Sequence, residues 1–386
     1  MLERDIKKHV MDMAKEYSVL TIVGPRQSGK TTLARTLFPD HEYVNLEEPD
    51  IREFAQKYPR DFFKNYSKDL ILDEFQRVPE LLSYIQVIVD AENRKGRFIL
   101  TGSHQPQMKA SITQSLAGRT AIITLLPLSI KELTDGGISL ERDEYIYKGF
   151  MPRIYNETIT PKYLYQNYYS TYVERDVRQL INIGNQNSFE RFIKLLAGRV
   201  GQIVNLNSLA GDVGVSQPTL SSWISVLEAS FIIFRLPCYF ENFGKRQIKA
   251  PKLYFTDVGL AAYLLGIESP EQIFRDPLVG RLFENMVVAD VLKTMYNHGK
   301  SAEIYYLRNQ DGFEIDLILN KRRSIIPIEI KSGITFDLSF AENIKTFQKL
   351  SDKAKSGYLV YSGDKNFDTQ GVKFINFKEI SSAISD

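Results

Sequence analysis

Gly24-Pro25-Arg26-Gln27-Ser28-Gly29-Lys30-Thr31 stands between an apolar run at residues 18–23 and an amphipathic run at 27–37. The spacing G-x-x-x-x-G-K-[ST] between a strand and a helix predicts a loop whose backbone N–H groups close around phosphates. The helix N-terminus behind it adds positive potential. Lys30 is expected to reach the β- and γ-phosphates of a nucleotide, and the Thr31 hydroxyl to ligate Mg²⁺. The candidate nucleotide-binding residues are therefore Gly24, Pro25, Arg26, Gln27, Ser28, Gly29, Lys30, Thr31 and Thr32.

Outward from this loop, apolar strands alternate with amphipathic helices: strands at 42–46, 69–72, 97–100 and 121–125, and a helix at 80–93. Such alternation predicts a parallel α/β sheet. Leu70-Ile-Leu-Asp73-Glu74 is an apolar strand ending in two acids. Asp73 is expected to hold Mg²⁺ through water. Glu74 is expected to orient and deprotonate an attacking water, which points to ATP hydrolysis. Phe98-Ile-Leu-Thr101-Gly-Ser103 places Ser103 or Thr101 at a strand tip, as a γ-phosphate sensor or as an ordinary strand-to-helix turn. Arg119 and Arg26 are candidate transition-state arginines, with a plain surface arginine as the other reading of each.

The stretches GPRQSGKTTLAR, YVNLEEPD, LILDEFQRVPELL, FILTGS, SLAGRTAIITLLPLSIKEL and YIYKGFMPRIY resemble a large prokaryotic family of ATPases of the AAA superfamily with a C-terminal domain of unknown function. The resemblance runs over nearly the whole chain. It implies an ATP-binding core, a winged helix and a nuclease-like C-terminal fold, and it leaves open whether a neighbouring chain completes the site with an arginine.

Residues 206–227 read as helix-turn-helix. Leu206, Leu209, Ala210 and Val213 form one stripe, Gly214 supplies the turn and Ser216 the N-cap, and Leu220, Trp223, Ile224 and Leu227 form the second stripe. Runs at 231–236 and 252–256 are expected to pair as a wing. The second helix lacks Lys and Arg, whereas the wing carries Arg235, Lys245, Arg246, Lys249 and Lys252 against Glu241. That pattern predicts phosphate contact with little base readout; packing between domains or subunits is the alternative.

Phe313-Glu-Ile-Asp316-Leu-Ile-Leu319 and Ile325-Ile-Pro-Ile-Glu329-Ile-Lys331 read as paired strands. Placing both apolar sets on one face sets Leu317 against Ile328, Leu319 against Ile326, Glu314 against Lys331 and Asp316 against Glu329. Opposed carboxylates repel unless solvated or bridged by a divalent cation. Asp…Glu-x-Lys resembles the metal site of the restriction-endonuclease-like superfamily. That resemblance implies metal ligation by Asp316 and Glu329, catalytic assistance by Lys331, and a helical acid at Glu284.

The 386 residues, 43% hydrophobic and 25% charged, are of globular composition and enough for several domains. A single cysteine excludes an intrachain disulfide framework, and four scattered histidines make a zinc site a poor fit. No apolar run approaches a membrane span, and the N-terminus has no apolar signal core, so a cytoplasmic protein is expected. Net charge +2 excludes a polybasic chain. The expected class is α/β: a P-loop NTPase core with parallel sheet at 1–135, a helical connector at 136–185, a winged-helix region at 186–270 and an α/β restriction-endonuclease-like domain at 271–386. Expected ligands are ATP and Mg²⁺; DNA, a second copy of the chain or another protein are candidate partners.

Overall fold

The computed structural model describes residues 2–103, 112, 114–157, 159–177, 186–240, 250–321 and 323–385. Five strands form one parallel sheet: β1 (Val19–Gly24), β2 (Glu42–Asn45), β3 (Leu70–Asp73), β4 (Phe98–Ser103) and β5 (Thr120–Thr124), in spatial order β2-β3-β4-β1-β5. Central β1, β3 and β4 are buried along their whole length. This is why they read as unbroken apolar runs. Alternate residues serve opposite faces: Val19, Leu70, Leu72, Phe98 and Leu100 join one core with the helices Pro49–Lys57, Pro59–Asn65 and Leu81–Glu92. Leu20, Ile22, Ile71, Ile99 and Ile123 join the other with the helices Lys7–Glu16 and Lys30–Leu37. The strand β4 lies between β1 and β3, with Ser103 beside Gly24 and Thr101 beside Asp73. The ends of β1, β3 and β4 thus meet at one edge, with polar side chains on β3 and β4.

The chain divides into two compact units. The first comprises Met1–Leu128 with Ala229–Phe231 and Tyr296–Lys300, and the second comprises Ser129–Glu228, Ile232–Met295 and Ser301–Asp386. In the second, the part of the expected helical connector that is rich in tyrosine is α-helical at Pro161–Tyr168 and π-helical at Tyr169–Val177. The helices Leu206–Val213 and Gln217–Ala229 form where the stripes placed them. Gly214 ends the first at φ +80°, and Ser216 Oγ accepts the Thr219 N–H of the second at 3.3 Å. A three-stranded antiparallel sheet follows, ordered β6 (Gln202–Ile203), β8 (Lys252–Phe255), β7 (Ile233–Leu236).

The last sheet contains β9 (Ile304–Arg308), β10 (Glu314–Asn320), β11 (Ile325–Lys331), β12 (Gly357–Tyr361), β13 (Phe367–Thr369) and β14 (Val372–Asn376), ordered β13-β14-β12-β11-β10-β9. Leu317 pairs with Ile328 and Leu319 with Ile326, the register set by the apolar alternation. The β10–β11 pairs end at Leu317–Ile328, so the expected oppositions of Glu314 with Lys331 and of Asp316 with Glu329 are not among them; on its other edge Glu314 pairs with Arg308 of β9. Nor is there a solvated polar face at Glu329: the strand is buried up to Lys331, and the helix Glu342–Leu350 lies on that face, with Asn343 on Glu329 and Phe347 against Ile325.

Candidate functional site: a phosphate loop and a buried carboxylate cluster

Gly24 and Gly29 shape the loop. A β-carbon at Gly24 would collide with the Leu125 carbonyl, and Gly29 sits at φ +92° just before the helix Lys30–Leu37. Lys30 is 6% exposed, and its Nζ donates to the Gly24 and Pro25 carbonyls at 3.2 and 2.8 Å. Burial pulls its pKa down to about 8, partly offset by the charges of Glu74 and Asp73. Ser28 Oγ and Gln27 Oε1 are buried without a hydrogen-bond partner. The unpartnered Ser28 hydroxyl suits an oxygen of a polyanion, to which it can donate; the Gln27 amide oxygen only accepts and needs a donor instead.

The Thr31 hydroxyl lies 2.9 and 3.1 Å from the two Asp73 carboxylate oxygens. Tyr43 OH donates to Asp73 Oδ2 at 2.7 Å, and Thr101 Oγ1 donates to Oδ1. A hydroxyl and a buried carboxylate in contact are the donor set that Mg²⁺ with its waters takes. Thr31 and Asp73 would hold it, so the residues present fit. Thr101 is therefore a partner of Asp73 rather than a phosphate sensor.

Glu74 leaves the strand in left-handed backbone at φ +53°. Burial raises its pKa, against the pull of Lys30. Gln76 Nε2 donates to Glu74 Oε2 and, at 3.2 Å, to Ser103 Oγ. Arg119 is not part of this group. It precedes β5 next to Val19, at the sheet edge opposite the loop, and binds Asp90 with two nitrogens, the longer contact at 2.8 Å. Five residues of strand, about 16 Å, separate that edge from the phosphates, so a same-chain transition-state role is ruled out. Arg26 stays in the loop, its charge felt by Lys30.

In the second unit, Asp316, Glu329 and Lys331 come together. Lys331 Nζ lies 3.1 Å from Glu329 Oε2 and 3.8 Å from Asp316 Oδ2, and Asp316 Oδ2 also accepts the Ile330 N–H. Glu329 is 1% exposed and takes Asn343 Nδ2 at 3.1 Å. Burial, reinforced by Asp316, pushes its pKa up to about 9, while Asp316 is held low by Glu329 and Lys331 against its own burial. One proton shared between the two acids accounts for both directions. Glu284 lies near enough for Asp316 and Lys331 to feel its charge, but its hydrogen bonds come from Lys252 Nζ at 2.9 Å and Tyr254 OH at 2.6 Å, and Lys252 also reaches Glu314 at 2.7 Å. Among the described residues no group of three or more His, Cys, Asp or Glu is arranged for a metal ion. The cluster as it stands does not fit a three-carboxylate centre, because Lys252 already supplies the positive charge.

That lysine also revises the basic wing. Lys252 is 3% exposed and so does not face a nucleic acid, whereas Arg235 pairs with Glu228 at the surface. Lys245, Arg246 and Lys249 lie outside the described residues.

With this geometry in hand, comparison with known proteins divides the chain into three parts. Residues 16–134 match the AAA domain family. Residues 140–271 and 279–380 match two families each described as a domain of unknown function (DUF8612 and DUF4143). The chain is similar to an uncharacterized protein of Mycobacterium tuberculosis, 29% identical over 83% of this chain and 72% of the relative. One from Haemophilus influenzae is 24% identical over 84% and 85%. Among solved structures, it is similar to a Walker-type ATPase of Pyrococcus abyssi (TM-score 0.43, 14% identity, 68% of this chain and 96% of that one). It is also similar to AMPPCP-bound DnaA from Aquifex aeolicus (0.31, 16%, 58% and 85%).

Three residues of the AAA domain's site escaped the sequence reading. Tyr43 and Gln76 lie within the YVNLEEPD and LILDEFQRVPELL stretches, but their spacing carries no signal. Arg4 lies upstream of the matched residues. It donates to the Ser28 carbonyl at 2.8 Å and the Leu126 carbonyl at 2.7 Å, bracing the loop from behind. Nothing in the sequence marks it.

Proposed function

We propose that this protein binds ATP with Mg²⁺, hydrolyses it, and uses the nucleotide state to switch a C-terminal half that contacts a macromolecular partner. The observation that carries the first part is the convergence of Lys30, Thr31, Asp73, Glu74 and Ser103 at one edge of the parallel sheet. The AAA match supports it. Lys30 leaves its carbonyl partners for the phosphates, and Ser28 gains an acceptor. Mg²⁺, when bound, supplies positive charge at the phosphate oxygens. Glu74 orients a water and takes its proton as the water oxygen bonds to the γ-phosphorus. The bond from that phosphorus to the bridging oxygen breaks, and ADP leaves. Turnover assays with Mg²⁺ test this. Lys30→Ala is expected to lose nucleotide binding, and Glu74→Gln to bind ATP with turnover reduced about 10²- to 10⁴-fold. Equal turnover in Glu74→Gln and wild type sinks the role of the base.

For the C-terminal half, the helices at 206–213 and 217–229 with the β7–β8 pair support a winged helix. Its second helix carries no Lys or Arg, and Lys252 is buried against Glu284. This favours a protein partner or a second copy of the chain over sequence-specific DNA. A second reading, DNA cleavage, is supported by the meeting of Asp316, Glu329 and Lys331. Single- and double-stranded DNA incubated with divalent cations, with and without ATP, separates the two: cleavage that disappears in Glu329→Ala selects the second.

A further inference from the structure

Gln76 occupies the space between the base and the strand that borders the phosphate loop. Its amide nitrogen donates to Glu74 and to Ser103. An ionised carboxylate only accepts, so the nitrogen must be the atom that faces it. The same contact fills an acceptor position on Ser103 Oγ and leaves that hydroxyl's proton for another acceptor. Ser103 is next to Gly24 in the sheet register, so the proton is placed at the phosphate loop. Space for the amide is provided by Gly102, where a β-carbon would collide with Gln76 Oε1. That oxygen is buried without a partner, a state a native protein seldom keeps unless something else completes it. Glu74 meanwhile holds the left-handed backbone that aims its carboxylate at the amide.

We propose that Gln76 is a positioning residue that couples recognition of the γ-phosphate by Ser103 to the stance of Glu74. The inference rests on the hydrolytic reading of this site. With ATP present, Ser103 donates to a γ-phosphate oxygen, and the shared amide carries that constraint to Glu74. With ADP there is no such oxygen, and Glu74 is not aligned. Gln76 touches neither the nucleotide nor the reacting atoms in this scheme; it acts through its two neighbours.

The test uses the full chain with Mg²⁺ and measures ATP and ADP affinity by calorimetry and turnover at saturating ATP. The variants are Gln76→Ala, Gln76→Glu, Ser103→Ala and the Gln76→Ala/Ser103→Ala double. Gln76→Glu keeps the shape, replaces the donor by an acceptor and sets a second carboxylate against Glu74. Gln76→Ala and Ser103→Ala are each expected to lower the ATP-to-ADP affinity ratio about tenfold, the size of one oriented hydrogen bond to a charged group. ADP affinity should be unchanged, which also reports an intact fold. The double variant should lose no more than either single one, because one chain of contacts is broken once. Turnover in both Gln76 variants should fall about a hundredfold. A Gln76→Ala protein with wild-type affinity ratio and turnover overturns the coupling and leaves the hydrolytic reading intact, as does a double variant whose losses multiply. A wild-type protein that never turns over ATP, yet loses its preference for ATP with Gln76→Ala, overturns hydrolysis and leaves the coupling.

Discussion

Lys30 is held by two carbonyls of its own loop, and burial leaves it with a pKa of about 8. Phosphates require the ammonium form. Nucleotide affinity should be flat below pH 8 and fall about tenfold per pH unit above it; calorimetry from pH 6.5 to 9.5 checks this, and a flat profile would place the lysine outside the binding step. Glu329 makes the opposite kind of prediction. Its carboxyl, pushed up to about 9, binds a proton more tightly folded than unfolded. Its contribution to stability is therefore lost as pH rises from the unfolded value near 4.3 toward 9. Glu329→Gln removes that loss. The variant should gain on wild type by about 1–3 kcal/mol at pH 8 and by almost nothing at pH 5, measured by urea unfolding at both. The motif residues were legible because phosphate chemistry constrains type and spacing together. Arg4 and Tyr43 were not, since each acts through a fold that brings distant backbone or carboxylate to it.

At the scale of elements, local rules held where one segment decides its own geometry. Gly214 ends a helix in left-handed backbone, and a β-carbon placed there would meet nothing within 4 Å, so Gly214→Ala should cost about 1 kcal/mol from backbone strain alone. Ser216→Ala should cost a similar amount, about 1 kcal/mol, through loss of the cap on Thr219. Thermal unfolding of the two variants checks both; a Gly214→Ala protein as stable as wild type would contradict the strain argument. The register of β10 on β11 followed from alternation because one apolar face must be kept together. The burial of the opposite face did not follow, because the helix that covers it, Glu342–Leu350, comes later in the chain and nothing in the two strands shows where it will pack. The expected basic wing failed for the same reason: nothing within residues 231–252 shows that Glu284 and Glu314 will claim Lys252.

On the scale of the whole molecule, Lys252 ties β8 to the helix Val279–Asn297 and to β10 within the second unit. Removing it leaves Glu284 buried without its cation, while half-buried Glu314 keeps Arg308 at 3.5 Å. Lys252→Met should destabilise the protein by about 3–5 kcal/mol, and adding Glu284→Gln should recover part of that loss. Denaturant unfolding of the single and double variants decides the matter. No recovery would mean that the lysine stem's packing, rather than its charge, is what the second unit needs.

The sequence by itself determined the phosphate loop, the acids that end β3, the two-faced parallel sheet and the helix pair around Gly214. In each, a chemical demand or a hydrophobic period acts over a few neighbouring residues. Only the tertiary structure decided which charges remain available. It put Arg119 at the sheet edge opposite the loop, spent Lys252 on Glu284 and Glu314, buried Glu329 beside Asp316, and set Gln76 between Glu74 and Ser103. Those outcomes depend on distances between residues far apart in the chain, and electrostatic and hydrogen-bonding partners are chosen by distance in space rather than by distance along the sequence.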